Sequence, residues 1–124
     1  MVRMLDERRT RRSEEQQVAL RYQLEHAREQ GGLQAMVLAD GDGLSVVASG
    51  DPAFVTELAA MAPLMGSAPF GMPLSPLLRG VDVAVRPLML NGQTLYLATA
   101  GGGMARDAVI THSVQGVTRI LASN

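Results

Sequence analysis

LQAMVLADGDGLSVVAS, residues Leu33 to Ser49, decides how the rest of the chain is read. Leu33 to Ala39 is a short apolar run of the kind that fills a buried strand, and strand character resumes from Leu44 to Ser49. Between them stands Asp40-Gly41-Asp42-Gly43, residues that tolerate the positive φ a tight reversal demands. A β-hairpin follows. A calcium loop is the competing reading of the same four residues. It requires a Glu at loop position twelve, where this chain has Asp51, and strand-like Leu44 to Val47 occupies the interval.

Downstream, Ser49-Gly50-Asp51-Pro52 breaks the strand and starts a helix, with Asp51 as N-cap and Pro52 at the first helical position. The helix spans Ala53 to Met65, and only Thr56 and Glu57 in it are clearly polar. Pro63 is expected to kink or end its last turn. A helix apolar nearly all round is normally buried on more than one side, which a chain of 124 residues struggles to arrange alone. A partner surface would supply the second side. Met61, Met65 and Met72 gather around this helix and suit either a core or an adaptable recognition surface.

Gly66 to Gly80 carries Pro69, Pro73 and Pro76 with three glycines, and one irregular edge strand is expected near Leu74 to Leu78. Val81 to Leu90 and Thr94 to Ala100 form a second hairpin around Asn91-Gly92, the strongest short turn signal in the chain. A two-residue turn there sets Leu90 opposite Gln93, Leu88 opposite Leu95 and Arg86 opposite Leu97. On the other face Val83, Val85 and Pro87 meet Ala100, Ala98 and Tyr96. Both faces are largely apolar, so both should be covered. Gly101 to Gly103 leads into a last helix from about Met104 to Ala122, with a stripe of Ile110, Val114, Val117 and Leu121. Gly116 inside it costs about 1 kcal/mol against Ala, a cost that close approach of a neighbouring element would justify.

Upstream, Ser13 to Gln30 reads as a helix, with Ser13 as N-cap, Gln16 completing a capping box and Gly31-Gly32 ending it. Leu20, Leu24 and Ala27 form a narrow stripe, so one side packs. Residues 1–12 read as a separate Arg-rich extension to a domain spanning 13–124. Arg8, Arg9, Arg11 and Arg12 make that extension either a solvated helical or frayed tail or a contact for an acidic partner or anionic lipid.

Composition removes whole classes of chemistry. There is no Cys, and all eleven basic residues are Arg, which excludes thiol nucleophiles, cysteine-held metals and lysine Schiff bases. Net charge is −1 and aromatics are scarce, so no nucleic-acid partner is expected. Residues 1–30 are crowded with charge and no segment is long and apolar enough to span a bilayer. A cytoplasmic chain without stable membrane insertion is expected. The triple glycine lacks the spacing of a P-loop or a dinucleotide fingerprint. His26 and His112 lie one on each terminal helix. If those helices pack side by side the rings approach each other, but Glu29 or Asp107 would have to complete a metal set. Solvated histidines are the simpler reading. No catalytic, cofactor or metal residues are assigned, and an enzyme is not expected.

The hairpin of 33–49, the apolar helix after it and the second hairpin with its C-terminal helix together resemble the roadblock (dynein-light-chain-like) family, bacterial GTPase-regulator type. The resemblance implies an α+β fold: a roadblock/longin-like antiparallel sheet of about five strands, one helix on one face and two on the other. It implies a homodimer, or a heterodimer with a second roadblock-like protein, through the central helix and a neighbouring edge strand. Carried over by position, Phe54, Val55, Leu58, Met61, Ala62 and Met65 are the dimer-helix residues. It further implies a non-enzymatic scaffold or regulator of a small Ras-like GTPase. The alternative is a profilin- or PAS-like small-molecule sensor, for which the few aromatics are a poor supply of pocket residues.

Overall fold

The computed structural model describes residues 2–67, 76–90, 92–102 and 106–122, with the side chains of all but residues 2–13, Ser67 and Asp107. Asp40 accounts for the first chain reversal. Its Oδ1 accepts hydrogen bonds from the amides of Asp42 (2.9 Å) and Leu44 (3.0 Å), while its own amide donates to the Leu44 carbonyl (3.0 Å). The carboxylate thus closes the turn between β1 (Leu33–Ala39) and β2 (Ser45–Gly50). One of its oxygens is committed to backbone amides, which fits a turn and not an ion loop.

β3 (Val83–Leu90) and β4 (Gln93–Gly101) form the second hairpin. Every cross-strand pair expected from a two-residue turn is present, from Leu90 opposite Gln93 to Val83 opposite Ala100. Gly92 sits at φ 77°, and Asn91 lies outside the described residues. β1 and β4 pair antiparallel and join the hairpins into one sheet of order β2-β1-β4-β3.

The sheet therefore has four strands among the described residues, and not the expected five. Pro76–Leu78 is a 3-10 turn, because Pro76 has no N–H to give a ladder and its fixed φ favours a turn. Leu74 and Met72 lie outside the described residues. Pro87 is accommodated in β3 because that strand is an edge.

α1 (Val2–Gly31) and α3 (Arg106–Ala122) cover one face of the sheet, and α2 (Pro52–Ser67) covers the other. The first face is built from Met36, Leu38, Leu88, Leu95 and Leu97 against Leu20, Leu24 and Val117. The second is shallower: Ala35, Val37, Ala39, Ala98 and Ala100 make a floor of short side chains on which α2 sits.

Helix α1 runs unbroken through Ser13, which is therefore not an N-cap. Residues 2–12 contain neither Gly nor Pro, and five of the eleven are Arg, a strong helix former, so nothing stops the helix from extending. It ends where expected, at Gly31, with Gly32 at φ 62°. The start of α2 also follows the sequence: Asp51 Oδ1 caps the Ala53 amide at 2.8 Å. α2 does not stop at Pro63 but continues to Ser67. Pro63 cannot donate to the Ala59 carbonyl, and the β1–β2 turn comes up against the helix there. A Cβ on Gly43 would stand 3.4 Å from that carbonyl oxygen and 3.2 Å from Ala60 Cα.

Candidate interaction surface

Helical periodicity divides α2 into two sides. Leu58 (1 % exposed) and Ala62 (0 %) turn into the sheet with Ala59 and Met61, filling the space above the alanine floor. Thr56, Ala60 and Leu64 follow one another at i, i+4 and i+8 on the other side, and all three are exposed. Leu64 is 56 % exposed. Phe54, Val55 and Met65 lie on the flanks, half-buried and packed against the core cluster.

The six residues assigned from sequence thus fall into two sets. Leu58, Met61 and Ala62 are already covered by the chain's own sheet and have almost no area left to offer. Phe54, Val55 and Met65 keep part of theirs. Ala60 and Leu64 were not assigned from sequence, yet they complete the outward apolar strip. The signal for them was available: Thr56 marks the outer side, and Ala60 and Leu64 repeat from it every fourth residue.

Two neighbours extend this strip. The β1–β2 turn abuts α2 at Ala60, and Leu44 in that turn is 64 % exposed. Beyond the other flank, Val81, Val83 and Val85 are half-buried on the α2 side of the sheet, at the open β3 edge. Tyr96 of β4 packs its ring on Gly66, where a Cβ would lie 2.5 Å from the ring. Glu57, half-buried, is the only ionisable residue in α2, so the strip carries almost no charge.

The other candidate contacts lie elsewhere. Arg8, Arg9, Arg11 and Arg12 belong to the first turns of α1, while the first described side-chain bonds from α1 to the domain are made by Gln16 and Gln17. His26 and His112 face the same groove between α1 and α3, both exposed. Among the described residues no three metal-ligating side chains come together, and no described helix is long and apolar enough to cross a membrane.

No family model matches this chain, and no curated protein matches it in sequence. Among solved structures, the chain is similar to MglB of Myxococcus xanthus, with a TM-score of 0.52 and 13 % identity over 84 % of this chain and 88 % of that one. The architecture is therefore roadblock/longin-like, an α+β fold with, among the described residues, three helices on a four-stranded antiparallel sheet.

Proposed function

We propose that the chain is a non-enzymatic dimeric regulator or scaffold that binds a small Ras-like GTPase. The observation that carries this reading is the outward apolar strip of α2: Ala60 and Leu64 exposed, with Phe54, Val55 and Met65 half-exposed beside them. A contiguous apolar surface with almost no charge is costly to leave in water and marks a protein contact. A second copy, related by a two-fold axis, meets that strip with its own, as closed symmetric dimers do. The β3 edge lies on the same side and offers unpaired backbone groups for strand addition.

The GTPase half of the proposal rests on the roadblock resemblance and on the fold shared with MglB. It is tested by mixing the full chain with Ras-like GTPases encoded by neighbouring genes, each loaded with GDP or a non-hydrolysable GTP analogue. Binding in one nucleotide state, measured by calorimetry, is the expected outcome. Absence of binding in both states removes the GTPase from the proposal while leaving the dimer to be judged separately.

A further inference from the structure

Two close contacts fix how α1 and α3 lie against each other. Val109 comes within 3.2 Å of where a Cβ on Gly31 would stand, and the Gln23 amide lies 2.6 Å from a Cβ position on Gly116. Gln16 Nε2 reaches the Ile120 carbonyl at 3.5 Å further along. The helices are therefore antiparallel, and the glycines draw their axes close. Counting along the helices between the Gln23 and Gly31 contacts, His26 stands level with Ser113, one residue and roughly 1.5 Å of axial rise from His112. Both imidazoles are exposed and line the same outer groove, of about 210 Å³. Gln23 and Gln30 line it too. So does Ser113, which is fully buried and whose Oγ has no hydrogen-bond partner.

We propose that His26 and His112 clamp a first-row divalent transition-metal ion across this groove, one ion per chain. Each neutral imidazole supplies one nitrogen donor, a ligand type suited to Zn²⁺, Ni²⁺ and Cu²⁺ and poorly suited to Mg²⁺ or Ca²⁺. Water completes the coordination. With two protein donors in place of four, the site is an exchangeable one, and the ion ties α1 to α3 only while bound. Cu²⁺ binds most tightly of the three.

The test uses the full chain without an affinity tag, titrated with Ni²⁺, Zn²⁺ and Cu²⁺. Calorimetry is expected to give one ion per chain, and the thermal midpoint is expected to rise by about 3 °C or more at saturation. Mg²⁺ is expected to have no effect. His26→Gln and His112→Gln each abolish both signals; because both rings are exposed, neither change alters the metal-free midpoint appreciably. The proposal is overturned by the absence of any rise with all three ions, by a rise that survives either substitution, or by a metal-dependent doubling of mass, which would place the ion between chains.

Discussion

Single residues hold the local geometry, and their roles differ in how plainly the sequence shows them. Asp40 and Asp51 were legible, because a carboxylate beside turn or helix-start residues has only nearby amides to bind. Gly50 was legible as a breaker but not as a packing constraint. It sits at φ 114°, and a Cβ there would collide with the Gln34 carbonyl of the adjacent strand. Gly50→Ala is expected to cost at least about 2 kcal/mol, from backbone strain and the displaced strand pair. A urea titration reads this as a lowered midpoint with unchanged slope, and a midpoint equal to that of the unsubstituted chain would refute it. Gly116 was legible only in part. Its place mid-helix implied a close neighbour, yet nothing in the string of letters named Gln23, because that contact, between residues 93 positions apart, depends on how the two helices come together.

At the scale of elements, the hairpins were the most legible part, since turn chemistry and a period of two leave one register that puts like with like. Helix boundaries were less so. The start of α1 was misplaced because a good capping sequence inside a run of strong helix formers does not interrupt it. The described part of the expected fifth strand, Pro76–Leu78, is a turn because apolar content alone does not outweigh a Pro without a donor. The two-sidedness of α2 was only faintly legible: in an almost uniformly apolar helix Thr56 alone marks the outer side from which Ala60 and Leu64 repeat, and the sheet shows which side is inner. Two substitutions separate those sides. Leu58→Ala is expected to cost about 2–5 kcal/mol by opening a cavity over the alanine floor, whereas Leu64→Ala changes monomer stability by under about 0.5 kcal/mol. Chemical denaturation at low protein concentration checks both, and equal costs would refute the assignment of faces. Pro63→Ala restores a donor to the Ala59 carbonyl and is expected to stabilise the chain by about 1 kcal/mol or more, read as a raised thermal midpoint.

Across the whole molecule, one face of the sheet is closed by two helices and the other by one helix whose outer strip is still apolar. That asymmetry is the basis for proposing association. From sequence, the excess of apolar residues in α2 was visible, but not which of them the sheet absorbs. The dimer reading consequently moves from Leu58, Met61 and Ala62 to Ala60 and Leu64, with Phe54, Val55 and Met65 at the margins. Sedimentation equilibrium over a wide concentration range, on the chain and on Leu64→Arg, tests this most directly. A species of twice the chain mass that dissociates on dilution is expected, and a folded monomer for the variant, whose arginine lies in solvent when no partner covers it. A concentration-independent monomer, or a dimer that Leu64→Arg leaves intact, would contradict it.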